Sequence, residues 1–249
     1  KIEYIIYEKT ILSDKKKSLI IETIKCSGED QMSLDLFFLD KTINDQSIVF
    51  TLRFYLWKDN CISIGYHQKN IPSNWTEFEK QGLIKIIKRP SGGGAVLHSE
   101  GITYALTCRK PNYKKFSYEI INGWLIKSFS NLGIKLKSGT IKKSTIQINC
   151  FNTNYTSDLI DENGYKRIGS AQYWRKGSFL QHGEIILNPP KELWSNLFQE
   201  KAPPALDLKI DNYEIIKFLK NSFLKSFSNL SSQIIYLSQE EVISARKFL

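Results

Sequence analysis

The stretch Lys88-Arg89-Pro90-Ser91-Gly92-Gly93-Gly94-Ala95-Val96-Leu97-His98 decides the fold of this chain. Its three successive glycines carry no side chains, so the backbone can approach a ligand closely and direct amide N–H groups at a carbonyl or a phosphate. Arg89 adds a charged donor beside the glycines. The order of residues differs from the GxxxxGK[ST] pattern of a Walker loop, which argues against a P-loop enzyme. A glycine turn between two apolar strands can also be purely structural, and the residues alone leave both interpretations open.

Two further segments hold candidates for chemistry. Cys150 ends an apolar run, and Lys166 begins a basic strand 16 residues later. A nearby ammonium group stabilises a thiolate and lowers the cysteine pKa, so Cys150 is a candidate nucleophile near neutral pH. An inert, buried Cys150 is the alternative. The motif Leu180-Gln181-His182-Gly183 holds another candidate, although a lone histidine is more often a core residue than a catalyst.

Composition and charge narrow the class of protein. The 249 residues are 41% hydrophobic and 24% charged, which is enough for one large domain or two small ones with a buried core. The net charge of +10 suits nucleic acid, anionic membrane or acidic protein partners, or a merely solvated surface. No nucleic-acid signature is found, and no apolar run reaches the roughly 18 residues of a membrane span. We therefore expect neither a nucleic-acid partner nor a membrane segment.

The cysteines indicate the redox compartment. Cys26, Cys61, Cys108 and Cys150 form no CxxC pair and no dense pattern, which is atypical of a disulfide framework. We therefore expect a reducing, cytoplasmic location. The first residue is Lys1 rather than Met, so a preceding leader stays open.

Hydrophobic periodicity predicts an α+β fold. Apolar and β-branched runs predict strands at 2–7, 18–24, 51–57, 61–66, 83–88, 102–108, 145–150 and 184–187. Asn163-Gly164 predicts a tight hairpin between 155–161 and 166–171. Helical spacing predicts helices at 31–43 and 117–132, and capping boxes at Asp211/Glu214 and Ser238/Glu241 predict two more. Helices should flank mixed, mostly antiparallel sheets.

In combination, these motifs resemble the biotin/lipoate protein ligase superfamily. The match consists of residues 89–98, Lys166 with Gly169-Ser170-Ala171-Gln172, and residues 180–183, with support from Met32, Asp35, Arg53, Tyr55, Trp57, Ser63, Gly65 and Gln68. The resemblance covers about residues 30–190. It implies one sheet-based catalytic domain spanning 1–249, with a tunnel for an acyl chain and C-terminal helices at 211–249.

Within the superfamily, the chain is most similar to the cysteine-dependent octanoyltransferases. Cys150 falls where their nucleophile lies, and Lys166 matches the lysine that contacts the acyl carbonyl. The resemblance implies an octanoyl-acyl carrier protein donor and a lipoyl-domain acceptor, either glycine cleavage H protein or 2-oxoacid dehydrogenase E2, without metal or cofactor. It also implies substrate-binding residues, namely Arg89, Ser91, Gly92, Gly93, Gly94, His98, Gly169, Ser170, Ala171 and His182.

One departure from the octanoyltransferase pattern leaves alternative functions open. Octanoyltransferases usually have Thr-Gly-Gly-Arg-Ala-Val, whereas residues 91–96 here read Ser-Gly-Gly-Gly-Ala-Val, as in the ATP-dependent lipoate ligases. Those ligases hold lipoyl-adenylate and need no thiol. Cys150 favours the transferase, as does the short remainder of about 60 residues, too few for a full accessory domain of the ligase type. A ligase and a non-catalytic binding protein are the alternative hypotheses.

Overall fold

The computed structural model describes residues 16–109, 114–139, 157–206 and 208–249. The strands predicted at 2–7 and 145–150 lie outside these residues, as does the candidate nucleophile Cys150.

Eleven strands form two sheets in the described part of the chain. They are β1 (Lys17–Cys26), β2 (Ile48–Trp57), β3 (Cys61–Ile64), β4 (Lys85–Lys88), β5 (Val96–His98), β6 (Ile102–Cys108), β7 (Leu136–Ser138), β8 (Leu159–Asp161), β9 (Lys166–Arg175), β10 (Ser178–Ile185) and β11 (Ser231–Ile235). The large sheet has the order β11-β1-β2-β6-β10-β9-β8-β7, and the small sheet has the order β4-β3-β5. Strand β1 is parallel to β11 and β2, and β3 is parallel to β4, while the remaining pairs are antiparallel. The prediction of mixed, mostly antiparallel sheets is confirmed.

Six α-helices flank these sheets within the same residues. They are α1 (Gly28–Asn44), α2 (Ser73–Lys80), α3 (Lys114–Asn131), α4 (Lys191–Phe198), α5 (Asn212–Ser226) and α6 (Gln239–Ala245). Both predicted capping boxes form, at Asp211 with Glu214 and at Ser238 with Glu241. Each box satisfies orphan N–H groups at a helix start, which is why a four-residue pattern located these helices. No helix in the described ranges has the length and apolar character needed to cross a bilayer.

Several elements differ from the predictions. Strand β10 begins at Ser178 rather than at residue 184, because its polar side chains face a buried site instead of solvent. Helices α2 and α4 and strands β5, β7 and β11 have no counterpart among the predictions. They are short, three to eight residues each, so too few periods of the pattern repeat to be recognised. The C-terminal segment predicted as helical contains β11 between α5 and α6, and β11 pairs with β1.

The predicted hairpin forms at Asn163-Gly164. Gly164 has φ +83°, and the amides of Asn163 and Tyr165 donate to Asp161 Oδ1 at 3.0 and 2.9 Å. Strands β8 and β9 run antiparallel on either side of the turn. The hairpin therefore carries Lys166 at the first position of β9.

The main core lies between the large sheet and helices α3 and α5. Phe54 of β2 contacts Trp124 of α3, and Trp124 contacts Phe223 of α5, with ring centroids 6.3 and 5.2 Å apart. A second core, containing Trp75 and Trp194, packs behind the small sheet. Burying side chains of this size supplies most of the driving force for folding. The two cores leave a space between the sheets, and the site occupies it.

Candidate active site

A cavity of about 660 Å³ opens between the two sheets and is also bordered by α1 and α3. Nine of the eleven described residues predicted for the site line it: Arg89, Gly92, Gly93, His98, Lys166, Gly169, Ser170, Ala171 and His182. The other two lie directly behind them. Ser91 Oγ is 2.6 Å from His182 Nε2, and Gly94 O accepts from Arg89 at 2.6 Å. The fold thus gathers segments separated by about a hundred residues around one space.

The glycine segment, residues 91–94, is held by Arg89 from behind. The guanidinium donates to Ser91 Oγ at 3.2 Å, to Ser63 O at 2.7 Å and Ser63 Oγ at 3.2 Å, and to Gly92 O at 2.9 Å and Gly94 O at 2.6 Å. These five contacts use the five N–H groups of an arginine. Arg89 therefore holds the carbonyls of Gly92 and Gly94 on its own side of the loop.

The amides of this segment have the opposite arrangement. Gly92 and Gly93 line the cavity, and within the described residues no acceptor takes a hydrogen bond from either amide. Gly93 has φ +100°, a conformation that favours glycine. Gly65 permits the close approach, because a Cβ there would lie 1.9 Å from Gly93 O. Gly92 and Gly93 therefore place at the cavity wall two amides that lack an acceptor among the described residues.

Two buried triads of carboxylate, imidazole and hydroxyl stand behind the glycine segment. In the Asp35 triad, Asp35 Oδ2 lies 2.9 Å from His182 Nδ1, and His182 Nε2 lies 2.6 Å from Ser91 Oγ. In the Glu184 triad, Glu184 Oε2 lies 2.7 Å from His98 Nδ1, and His98 Nε2 lies 2.7 Å from Ser63 Oγ. All six residues are at most 5% exposed. Both triads end at Arg89.

Each carboxylate has further partners. Arg53 donates to Asp35 Oδ1 at 2.5 Å, and the Tyr55 hydroxyl donates to Asp35 Oδ2 at 3.1 Å. Burial raises the pKa of Tyr55 well above its ordinary value, so this hydroxyl keeps its proton. Thr103 donates to Glu184 Oε2, and Trp57 Nε1 donates to Thr103 Oγ1 at 2.6 Å.

The charge state of one histidine follows from its surroundings. Burial lowers the pKa of His98, with the Arg89 charge acting in the same direction and Glu184 opposing it. The Trp57 ring stacks on the imidazole at 4.0 Å between centroids, which excludes water from that face. His98 is therefore neutral near pH 7.

Lys166 lines the same cavity as the triads. Its Nζ is 2.8 Å from Asp158 Oδ2, and both side chains are buried. Asp158 Oδ1 also accepts from the Ser170 amide at 3.3 Å, which ties the ion pair to β9. Burial raises the pKa of Tyr104 to about 12, and its hydroxyl lies 2.8 Å from Ser170 Oγ. A buried ammonium on a rigid strand is thereby fixed at the cavity wall.

The described cysteines do not contribute to this cavity. Burial raises the pKa of Cys26 to about 11 and of Cys61 to about 12, and it raises the pKa of Cys108 further. None of the three lines the cavity. Such thiols are poor nucleophiles near pH 7. We therefore expect these three cysteines to serve packing rather than chemistry.

Four members of the two triads and of the Lys166 ion pair were not among the predicted site residues: Asp35, Ser63, Asp158 and Glu184. Asp35 and Ser63 belong to the supporting motif matches. Glu184 carries a usable signal, because residues two apart on a strand share a face and His182 precedes it by two. Asp158 has no such signal, since an acid beside a three-residue strand looks like an ordinary turn residue. Among the described residues, no group of three His, Cys, Asp or Glu side chains is arranged to hold a metal ion.

Sequence comparison identifies the family to which this domain and its site belong. The family model for the lipoyl protein ligase A/B catalytic domain matches residues 27–215, so the chain belongs to that family.

Its curated relatives are octanoyltransferases named LipM. The relative from Carboxydothermus hydrogenoformans is 31% identical over 230 residues, 84% of this chain and 84% of that protein. The relative from Brevibacillus brevis is 32% identical over 177 residues, 66% of this chain and 63% of that protein. These relatives place the chain among the acyltransferases of lipoate synthesis.

Solved structures share the fold. A putative lipoate protein ligase from T. acidophilum with bound lipoic acid has a TM-score of 0.75 and 20% identity, covering 93% of this chain and 94% of that one. A lipoate-protein ligase A bound with ATP also has a TM-score of 0.75 and 20% identity, covering 93% of both chains. This likeness confirms the single ligase-like domain.

Proposed function

We propose that this protein moves an octanoyl group from acyl carrier protein, through a thioester on Cys150, to the lysine of a lipoyl domain in the cytoplasm. The observation that carries the proposal is the cavity itself. It brings the amides of Gly92 and Gly93 and a buried lysine together in a member of a family whose curated relatives are octanoyltransferases.

Cys150 is proposed as the nucleophile on three grounds. It matches the nucleophile position of the cysteine-dependent octanoyltransferases. The described cysteines have raised pKa values and lie away from the cavity. Ser138 and Ser157, near the two ends of the segment that contains Cys150, both line the cavity.

The proposed reaction has two balanced steps. The Cys150 thiolate attacks the donor thioester, its new S–C bond replaces the donor S–C bond, and the carrier thiolate leaves. The neutral amine of the acceptor lysine then attacks the enzyme thioester, an N–C bond forms, the amine loses a proton and the Cys150 thiolate leaves.

Both steps develop negative charge on the acyl oxygen. The amides of Gly92 and Gly93 and the ammonium group of Lys166 are among the donors that line the cavity, and pre-aligned donors stabilise such charge. Lys166 would also favour the thiolate form of Cys150. Gly169, Ser170 and Ala171 would form the adjoining wall beside the acyl group.

The partners are proposed from chemistry and charge. The donor is octanoyl-acyl carrier protein, and the acceptor is a lipoyl domain of glycine cleavage H protein or 2-oxoacid dehydrogenase E2. Domains of both kinds tend to be acidic, and the net charge of +10 would steer them towards this enzyme.

An ATP-dependent lipoate ligase is the second candidate, because residues 91–96 match the ligase form of the loop. The two functions differ in what they consume. The purified protein, octanoyl-acyl carrier protein and a lipoyl domain should yield octanoyl-lysine without nucleotide, as measured by mass spectrometry of the acceptor. Product that forms only from free octanoate with ATP would instead establish the ligase.

A further inference from the structure

The two triads share a geometry that fixes their hydrogen positions. Arg89 is a donor only, so Ser63 Oγ and Ser91 Oγ must accept from it. Each hydroxyl has a single hydrogen, and its other neighbour is an imidazole Nε2, at 2.7 Å from Ser63 and 2.6 Å from Ser91. Each serine therefore donates to Nε2, which must carry a lone pair.

The protonation state of the second ring nitrogen, Nδ1, follows from that of Nε2. With Nε2 as an acceptor, a neutral imidazole carries its proton on Nδ1. Nδ1 of His98 faces Glu184 Oε2 at 2.7 Å, and Nδ1 of His182 faces Asp35 Oδ2 at 2.9 Å. Both contacts are donations from N–H to carboxylate. An added proton on Nε2 would leave the serine hydrogen without an acceptor among the described residues.

We infer that His98 and His182 are positioning residues that hold Arg89, and through it the glycine segment, from two sides. This inference rests on the proposed function, in which amides of that segment stabilise the acyl oxygen. The Asp35 triad reaches the Nε edge of the guanidinium through Ser91. The Glu184 triad reaches an Nη group through Ser63. The remaining Nη group is left to hold the carbonyls of Gly92 and Gly94.

Contacts at two edges of the Arg89 guanidinium fix its orientation, whereas a contact at one edge does not. A guanidinium held at one edge can still swing about the end of its side chain, which would turn the loop carbonyls and amides with it. Anchoring two edges fixes the plane. Because each Nε2 lone pair accepts from a serine, neither histidine is available as a general base towards the substrate.

The inference predicts a specific kinetic pattern for Ser63→Ala and Ser91→Ala. Ser91→Ala removes the contact at Nε and should lower kcat for octanoyl transfer about tenfold. Ser63→Ala leaves the bond from Nη1 to Ser63 O at 2.7 Å and should lower kcat by a smaller factor, and the double variant should be the slowest. The tenfold value follows from the cost of about 10²–10³ for losing an oxyanion donor outright. KM for a small octanoyl thioester should change less than twofold, since the affected interaction is made in the transition state.

Two matched variants control for packing. Ser128→Ala removes a buried hydroxyl that donates to Trp124 O at 2.8 Å. Ser128 does not line the cavity, so transfer should be unchanged. Ser91→Thr keeps the hydroxyl and should retain most of the wild-type kcat. Equal losses in Ser128→Ala and Ser91→Ala, or a double variant that transfers at the wild-type rate, would overturn the inference.

A direct measurement does not depend on activity. In ¹⁵N-histidine spectra at pH 7, His98 and His182 should each show a protonated Nδ1 and an unprotonated Nε2, assigned with His98→Gln and His182→Gln. The opposite tautomer at either residue would refute the triads as described. Should the wild-type protein transfer no octanoyl group, the proposed function fails, while these spectra still decide the triads.

Discussion

The two walls of the cavity are built in opposite ways. On the glycine wall, formed by Arg89, residues 91–94 and the two triads, the Arg89 guanidinium is engaged by Ser63, Ser91 and the carbonyls of the loop, and Gly92 and Gly93 line the cavity. On the lysine wall, formed by Lys166, Asp158 and β9, the charged group itself lines the cavity. One wall supplies aligned neutral donors, and the other supplies a full positive charge.

The difference teaches why the site needs so many buried polar residues. An amide donor is useful only if its orientation is fixed, so its wall requires a supporting network. An ammonium group acts through its charge and needs only a counter-ion, because burying an unpaired charge costs far more than a paired one. The predictions below test the lysine wall first and then the glycine wall.

Lys166→Ala should cause the largest loss among the wall variants. Both chemical steps develop charge on the same oxygen, so acylation and transfer should each slow by about 10²–10³. The variant removes the Lys166 ammonium from the buried Asp158 carboxylate, which should lower the free energy of unfolding. Adding Asp158→Asn removes that charge and should restore the free energy of unfolding but not the rate, as measured by urea unfolding and pre-steady-state kinetics. An unchanged acylation rate would restrict Lys166 to the acceptor step or to structure.

Gly65→Ala should disturb the glycine wall alone. The new Cβ would lie 1.9 Å from Gly93 O, which forces the loop to move. We expect a loss of transfer of about tenfold or more, with a stability cost of about 1–3 kcal/mol from overpacking. Gly123→Ala on α3 is the matched control, because its Cβ meets nothing within 4 Å. That control should gain about 0.5–1 kcal/mol and keep full activity. Transfer unaffected by Gly65→Ala would contradict the role given to this loop.

The contrast between the two walls also explains which parts of the site could be predicted from the sequence. The glycine wall was predictable because three consecutive glycines and an Arg-Pro-Ser lead are unusual, and the capping boxes located α5 and α6 for a similar reason. The supporting residues were harder to find. Asp158 is ordinary in sequence and acquires a role only when the hairpin between β8 and β9 brings it against Lys166. The predicted start of strand β10 lies six residues after the observed one. Its polar residues face a buried site, which breaks the hydrophobic alternation expected of a strand.

A pH dependence of stability should report on the Glu184 triad. Burial lowers the pKa of His98 below its ordinary value of 6.5, so between the two values the unfolded chain binds a proton that the folded protein does not. The contribution of His98 is therefore complete above pH 6.5, declines as the pH falls below it, and levels off below the folded pKa. Urea unfolding of the wild type and His98→Gln should show a stability difference that shrinks with acidification. A difference that grows instead would mean that His98 is charged in the folded state.

The smallest expected effect concerns salt. If the basic surface attracts acidic partner domains, kcat/KM for protein substrates should fall as ionic strength rises, because the Debye length shortens from about 10 Å at 0.1 M to about 3 Å at 1 M. An octanoyl pantetheine analogue should show a flatter dependence. Lys137 is exposed on β7 beside the cavity residue Ser138, so Lys137→Glu should weaken protein substrates and spare the small donor. Equal salt sensitivity for both donors would leave the positive charge as a solvated surface.

Intact-protein mass spectrometry after mixing with octanoyl-acyl carrier protein, without acceptor, tests the central claim most directly. The wild type should gain one octanoyl group, mapped by peptide analysis to Cys150 and released by a lipoyl domain. Cys150→Ala should gain none while unfolding at a similar temperature. A wild type that stays unmodified under conditions that load an established octanoyltransferase, or a Cys150→Ala variant that still transfers octanoyl groups, would contradict the thioester mechanism.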